Sequence, residues 1–420
     1  MRETRVTTLA NGMRVVTDRM TDVETASVGV WVGAGARSES TEVCGVAHML
    51  EHMAFKGTAR RDARRIAEDI EAVGGILNAH TAREHTAYYA KVLKQDLELA
   101  VDILADILQN SVFEETQLGR ERTVVLQEIG QMLDTPDEII FDHFQSAAYP
   151  DQPLGRPVLG SADVVRRMRR DMLVGYLGQH YRAGDTVLSV AGSVDHDAFV
   201  ELAASAFAGF PAGKGTGSEP ATYRGGEFRE RRDLEQVHLV LGFQGVAIDH
   251  PEFYTAVLLS SLLGGGMSSR LFQELRERRG LVYSIYAFAS SYSDDGLFGV
   301  YAGSGESEVG ELIPVLCDQL GRLAHSLGED EVAKARMQLK ASLLMGLEST
   351  GARCEQNAQQ LLVFGRLVPT EELVAAIDRV DGAAVSNLAH RLFSSRPTLA
   401  SIGPVSRLEP FDAVVRRFTG

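Results

Sequence analysis

The sequence predicts an α+β protein of two homologous halves, each a largely antiparallel or mixed sheet packed with helices. Three observations lead to this class. Short alternating apolar segments, separated by Gly-containing turns, recur beside amphipathic stretches too long to be loops. A segment rich in Gly, Pro, Ser and Thr, "PAGKGTGSEPATYRGG", divides the 420 residues nearly in half. The same order of elements then appears on both sides of it.

The first half begins with two alternating segments around an Asn-Gly pair, which predicts a hairpin. An apolar strand, "TASVGVWVGAG", is followed by a helix in "GVAHMLEHMAFKG" and by a second helix. A hairpin in "GGILNAHTAREHTAYYAKV" precedes another helix. The half closes with the strand "TVLSVAG" and a helix capped at Asp195 or Asp197.

The second half repeats this order, with "VHLVLGFQGVA" as its apolar strand. The best register sets "VGGILNAH" over "RRGLVYSI", which matches Gly75 with Gly280. Under this offset "AHMLEHM" lies near "AVLLSSL", so the group of two histidines and a glutamate is present in the first half and absent from the second. We therefore expect one domain over 1–212 that holds this group, a linker over 213–228, and a homologous domain over 229–420 that lacks it.

Composition and charge exclude several classes of protein. The formal charge of −15, from 57 acidic and 42 basic residues, disfavours nucleic acid and anionic membranes as partners. No apolar run is long enough to span a bilayer. The first residues lack the apolar core of a secretory signal, and three cysteines without a Cys-x-x-Cys pair suit a reducing compartment. A cytoplasmic location is expected.

On a helix, His48, Glu51 and His52 face the same side. Single histidines on apolar faces are usually hydrogen-bonded core residues, but burying three ionisable groups together is costly unless another charge compensates them. Two imidazoles four residues apart can bind one zinc ion, which leaves the glutamate for proton transfer. Cys44 would lie about 12 Å from His52 along the helix axis, too far to share that ion, and is expected to be a small core residue.

His48, Glu51 and His52 form the motif H-x-x-E-H, which is the inverzincin signature. Over essentially its whole length the chain resembles the zinc metallopeptidase family of pitrilysin, insulin-degrading enzyme and mitochondrial processing peptidase, in its processing-peptidase-like bacterial or organellar branch. The resemblance implies one Zn²⁺ per chain, held by His48, His52 and Glu128, with Glu121 as a second acid that orients the site. Without the resemblance, several acids of the same helix remain open as the third ligand.

The activity implied is that of a zinc-dependent endopeptidase acting on oligopeptides or unfolded segments. Zinc acidifies a bound water and polarises the peptide carbonyl, and Glu51 takes the proton and passes it to the leaving amine. Two alternatives stay open. One is a non-catalytic scaffold or partner subunit of the same family, and the other is a structural zinc protein, which would need a fourth protein ligand.

The resemblance also assigns substrate contacts. Asn78 and Ala79 lie on an exposed edge strand to which an extended peptide adds as a further strand, although an ordinary edge strand is the plainer interpretation. His80 and His85 follow; we expect the hairpin to spread them apart, and we assign them no role. By the same resemblance, Arg276 and Tyr283 in "LRERRGLVYS" complete the site as donors to the peptide carbonyl or the tetrahedral oxyanion, although a charged helix end followed by a strand tyrosine is the plainer interpretation.

Family members of this length pair around a substrate chamber, so the resemblance implies that 1–212 is the catalytic zinc-binding domain and that 229–420, without the metal motif, completes the chamber. A homodimer with two sites is therefore expected, in which Arg276 and Tyr283 act in cis or in trans. Gly264 to Gly266 lack the Gly-Lys-Ser/Thr that a phosphate loop requires, which disfavours nucleotide binding.

Overall fold

The computed structural model describes residues 3–419, apart from the side chains of 324–326. Helices and two sheets of mixed strand orientation make up the protein, which confirms the predicted fold class. Within the described residues, no helix is both long enough and apolar enough to cross a membrane.

In chain order, the elements of the first 212 residues are β1 (Glu3–Thr8), β2 (Arg14–Arg19), β3 (Thr25–Val32), α1 (Val46–Ala54), α2 (Ala63–Glu71), β4 (Ile76–Thr81), β5 (Thr86–Leu93), α3 (Leu97–Gln109), α4 (Glu115–Leu133), α5 (Pro136–Ala148), α6 (Ala162–Arg166), α7 (Arg170–His180), β6 (Thr186–Gly192) and α8 (His196–Ala206). Those of the remainder are β7 (Glu227–Arg231), β8 (Val237–Gln244), α9 (Phe253–Gly264), β9 (Ser284–Ser291), β10 (Gly296–Ser304), α10 (Val309–Ser326), α11 (Glu329–Gly346), α12 (Thr350–Phe364), α13 (Thr370–Asp378), α14 (Gly382–Phe393), β11 (Thr398–Gly403) and α15 (Phe411–Thr419). A π-helix, Phe272–Arg278, precedes β9.

The first sheet has the order β1-β2-β6-β3-β5-β4. Only β2 and β6 run parallel, and every other neighbouring pair is antiparallel. The central strand β3 is buried over almost its whole length because helices cover both faces of the sheet. Strand β4 pairs with β5 alone, so its other edge carries no strand.

The second sheet has the order β7-β11-β8-β10-β9 and repeats this plan. Strands β7 and β11 run parallel, whereas β11, β8, β10 and β9 form antiparallel pairs. Its main core lies against the apolar side chains of α9, α10 and α14.

Each compact unit of the structure consists mainly of one half of the sequence and also contains one helix from the other half. The first unit comprises 1–130, 156–219 and 344–367, and the second comprises 131–155, 220–343 and 368–420. Helix α12 packs on the first sheet, where Cys354, Ala358 and Leu361 contact the strands. Helix α5 packs on the second sheet through Ile140 and Phe144. The predicted division at residues 213–228 follows sequence position alone, so it does not anticipate that α5 and α12 each belong to the unit of the other half.

Two local predictions are confirmed in detail. Gly12 adopts a φ of 97° in the turn between β1 and β2, a conformation that favours glycine. Asp195, of the two caps considered, begins α8, and its side chain accepts the Ala198 N–H. Most of the predicted linker lacks regular structure, although β7 begins at Glu227. Cys44 is buried.

Candidate metal centre and active site

Helix α1 carries the paired histidines, and its start is fixed by a buried acid. Gly45, with a φ of 95°, begins the helix, and its N–H donates to Glu39 Oε2 at 2.7 Å. The Ala47 N–H donates to Glu39 Oε1 at 2.8 Å. These bonds satisfy donors that a helix start leaves without a partner. Because Val46, Met49, Leu50 and Met53 are buried, the helix cannot rotate without exposing apolar surface.

Three potential ligands meet at one point. Candidate ligand atoms of His48, His52 and Glu128 all lie within 4.8 Å of one another, and this is the sole group of three or more His, Cys, Asp or Glu within that spacing among the described residues. Glu128 Oε2 is 3.8 Å from His48 Nε2 and 3.5 Å from His52 Nε2. The two rings face each other edge-on, 4.6 Å apart. Helix α4 thus brings a carboxylate to the histidines of α1.

Glu121 orients one of the two imidazoles. Its Oε2 lies 3.0 Å from His52 Nδ1, and its Oε1 lies 2.9 Å from Lys56 Nζ. A hydrogen bond from Nδ1–H to this carboxylate would leave the His52 Nε2 lone pair directed at the common point. Glu121 is only 5% exposed, so the neighbouring cation Lys56 is needed to balance its charge. Lys56, His52 and Glu121 therefore form one connected chain.

Glu51 lies beside the three ligands but is held separately. The Thr81 hydroxyl donates to Glu51 Oε2 at 2.5 Å. Burial raises the Glu51 pKa, and the Thr81 hydrogen bond and the nearby His52 and His80 oppose this rise. Burial, with a smaller effect of His52, lowers the pKa of His48 to about 4. The His48 imidazole is therefore neutral at pH 7, the form that can bind a metal.

The residues present fit a zinc ion. Glu128 Oε2 is buried and has no hydrogen-bond partner among the described residues, although two imidazole nitrogens lie within 4 Å of it. A buried acceptor left in this state is costly unless a cation compensates it. Two histidines and one carboxylate are a known ligand set for catalytic zinc, which keeps a further position for water or substrate.

The predicted substrate strand is an edge strand. The Ala79 N–H is not paired with β5 but donates to its neighbour's side chain, Asn78 Oδ1, at 2.8 Å. This amide therefore points to the open edge of β4. The Asn78 side chain covers a main-chain donor that an added strand would use, a device that protects exposed edges from unwanted pairing.

Comparisons with known proteins place this geometry in a family. The family description "Insulinase (Peptidase family M16)" matches residues 14–162, and "Peptidase M16 inactive domain" matches residues 167–339. An "Uncharacterized zinc protease" of Rickettsia felis is 39% identical over 95% of this chain and 97% of its own length. The chain belongs to peptidase family M16. Within M16, it is also similar to processing-peptidase subunits, since the "Probable mitochondrial-processing peptidase subunit beta, mitochondrial" of Arabidopsis thaliana is 39% identical over 99% of this chain and 81% of that protein.

Solved structures show the same M16 fold. A chain of "Complex III2 from Candida albicans, Inz-5 bound" matches with a TM-score of 0.85, 22% identity and 99% coverage of both chains. The "peptidase M16 inactive domain from Pseudomonas fluorescens" matches with a TM-score of 0.89 and 20% identity, covering 97% of this chain and 99% of that one. At these identities the likeness concerns the fold alone.

The predicted residues of the second M16 half belong to the second compact unit. Arg276 lies in the π-helix, with its guanidinium 4.7 Å above the Phe272 ring. Tyr283 is 63% exposed just before β9. The assignment of both residues to the active site stays a prediction.

One expectation about the β4–β5 hairpin is wrong. The hairpin does not spread His80 and His85, because their Nε2 atoms lie 3.3 Å apart. His80 is in the strand opposite Ala87, whereas His85 lies in the turn, where its carbonyl accepts the Ala82 N–H. The turn folds the second ring back over the first. Alternation along a regular strand does not apply to a residue within the turn.

Three further residues of the site were not found from sequence. Thr81 contacts the Glu51 carboxylate, Lys56 contacts Glu121, and Glu39 holds the start of α1. Lys56 follows α1, which ends at Ala54, and its partner Glu121 is on α4, so spacing along one helix does not indicate this contact. Thr81 likewise gave no signal, because it contacts a residue 30 positions away. Glu39 is nearer, since it bonds to N–H groups six and eight residues ahead, and an acid shortly before a helix start is a signal that could have indicated it.

Proposed function

We propose that this M16 protein is a zinc-dependent endopeptidase that hydrolyses peptide bonds in oligopeptides or unfolded segments. The observation that carries the proposal is the convergence of His48, His52 and Glu128 with a fourth ionisable side chain, Glu51, beside them. A structural zinc site would be closed by a fourth protein ligand. The described residues offer three at the required spacing.

His48 Nε2, His52 Nε2 and Glu128 Oε2 would hold one zinc ion per chain. When bound, zinc supplies a Lewis acid that acidifies water and polarises the peptide carbonyl. Glu121 would keep His52 in the tautomer that binds, because its carboxylate accepts a hydrogen bond from Nδ1–H. Neutral histidines and an ionised carboxylate are required, so acid is expected to release the metal.

Glu51 moves the proton. Thr81 fixes Oε2, which leaves Oε1 to accept a proton from the attacking water and to deliver it to the leaving amine. The partial burial of the carboxylate raises its pKa and so makes it a stronger base than an exposed glutamate. Removing such a group typically slows a reaction by about 10²- to 10⁴-fold.

The open edge of β4 would hold the substrate as an added strand. Ala79 N–H supplies one main-chain donor once Asn78 Oδ1 releases it. Binding through main-chain groups depends little on the substrate's side chains, which suits an enzyme of varied unfolded peptides. Arg276 and Tyr283 would complete the site as donors to the carbonyl oxygen.

The partners proposed are extended peptides and a second copy of this chain, in the cytoplasm. Identical subunits that each carry the motif make a homodimer with two sites the simplest assembly. The relatives named as subunits of mitochondrial-processing peptidase favour a second candidate, a distinct partner subunit. A non-catalytic scaffold or partner subunit of the same family is the alternative function.

A comparison of wild type with Glu51→Gln tests the activity. The matched control is Glu42→Gln, an exposed acid on the turn before α1. We expect wild type and Glu42→Gln to cleave a panel of unfolded peptides, to lose that activity to a chelator, and to regain it with zinc. Glu51→Gln should keep one zinc per chain and lose cleavage by about 10²-fold or more. Equal turnover by wild type and Glu51→Gln would reject Glu51 as the base, and inactivity of zinc-loaded wild type would favour the scaffold.

A further inference from the structure

A second pair of imidazoles lies outside the proposed catalytic centre. His80 is the penultimate residue of β4 and His85 lies in the turn before β5, with their rings edge-on at a centroid distance of 5.4 Å. Their Nε2 atoms are 3.3 Å apart. The centroid of the His80 ring lies 5.9 Å from that of the Tyr89 ring, and this contact restricts rotation of the His80 ring. Both side chains are partly buried and held by the hairpin.

The spacing of these nitrogens matches that of two ligands on one metal ion. Two imidazole nitrogens bound at about 2.0 to 2.1 Å to a tetrahedral ion lie about 3.3 to 3.4 Å apart. A hydrogen bond between two neutral rings prefers a shorter separation, about 2.7 to 3.2 Å between heavy atoms in protein N–H bonds. The pair can therefore exchange a weak hydrogen bond for two metal bonds with little movement.

The protonation state of His85 also favours the binding of a cation. Burial, with a smaller effect of His80, lowers the pKa of His85 to about 4, so this imidazole is neutral at pH 7. A neutral ring offers a lone pair to a metal without first losing a proton. The Glu51 carboxylate lies close enough to interact electrostatically with His80. It provides negative charge next to the pair.

We propose that His80 and His85 bind a second divalent transition cation, such as Zn²⁺, Ni²⁺ or Cu²⁺, for which imidazole is a preferred ligand. No third His, Cys, Asp or Glu joins them within the spacing of a three-ligand group in the described part of the chain. Water fills the remaining positions. The second ion therefore binds more weakly than an ion held by His48, His52 and Glu128.

Occupation of the pair would affect the neighbouring active site. A dication there attracts the Glu51 carboxylate and draws it from the position in which Thr81 holds it. Zinc in excess of one equivalent is then expected to inhibit cleavage. This consequence rests on the proposed function, whereas the binding of the second ion does not.

The test is zinc stoichiometry of the full chain. Wild type, His80→Gln, His85→Gln and the control His390→Gln are dialysed at pH 7 against increasing Zn²⁺, and bound metal is measured by elemental analysis. His390 lies on α14, which belongs to the second unit, whereas the hairpin belongs to the first. We expect two ions per chain in wild type and His390→Gln, and loss of the weaker one in both hairpin variants. Unchanged thermal unfolding midpoints in one equivalent of zinc would verify folding.

Cobalt gives a second readout that does not depend on activity. The visible absorption of Co²⁺ added after one equivalent of Zn²⁺ should appear in wild type and vanish in His80→Gln and His85→Gln. A wild type that binds only one ion would overturn the proposal, as would a second ion that persists in both variants. If the second ion binds as expected but wild type cleaves no peptide, the proposed function fails and the metal site stands.

Discussion

Glu121 supports metal binding through His52, and its replacement by glutamine isolates the effect of charge. Glutamine has nearly the same size, and its amide oxygen can still accept a hydrogen bond from His52 Nδ1–H. What is lost is the negative charge between His52 at 3.0 Å and Lys56 at 2.9 Å. Because Glu121 is 5% exposed, water cannot replace that charge.

The magnitude follows from the role of such carboxylates. Removing an acid that orients a metal-binding histidine typically weakens metal affinity by about 10- to 100-fold, which corresponds to about 1.4 to 2.8 kcal/mol. In Glu121→Gln, Lys56 also loses its partner, and its positive charge then acts against a cation at the neighbouring histidine. We therefore expect a zinc dissociation constant raised by about 10- to 100-fold.

The assay is competition for zinc between the metal-free protein and a chromophoric chelator at pH 7. Glu115→Gln is the matched control, since Glu115 lies on the same helix α4 but forms an exposed ion pair with Arg122. Addition of Lys56→Met to Glu121→Gln should cost less than the sum of the two single changes, because Lys56 acts through Glu121. A dissociation constant equal to that of Glu115→Gln would refute the role of Glu121.

Three further predictions concern stability and substrate binding. Burial raises the pKa of Glu39 to about 8 from its usual 4.5. The contribution of this group to the stability of the fold is therefore fully present below pH 4.5 and is lost as the pH rises through 8. Urea unfolding of Glu39→Gln should show a weaker fall in stability between these two pH values than wild type does. Ala79→Pro removes a donor that β5 does not use, so peptide KM should rise several-fold while the thermal midpoint changes little, and an unchanged KM would contradict β-strand addition at β4. Gly45→Ala should lower the free energy of unfolding by about 1 to 2 kcal/mol or more in denaturant titrations. Gly45 has a φ of 95°, and a Cβ there would lie 2.8 Å from the Leu159 carbonyl oxygen. Equal stability of variant and wild type would show that the segment around Leu159 moves away without cost.

Much of the local structure could be predicted because it depends on short-range patterns. The spacing of His48, Glu51 and His52 places them on one face of any helix that contains them. The Asn-Gly turn, the two apolar strands and the Asp195 cap likewise depend on neighbours within a few residues. Duplication of the element order then indicated two similar sheets before any pairing was known.

The sequence by itself thus determined the two similar halves, the helix that presents both imidazoles, and, through its resemblance to a known family, the choice of Glu128. The tertiary structure alone decided the exchange of α5 and α12 between units, the bond from Thr81 to Glu51, and the close approach of His80 and His85. Helical and strand periodicities fix directions only along one element. Distances between atoms on different elements depend on how turns and sheets fold, which no local pattern specifies.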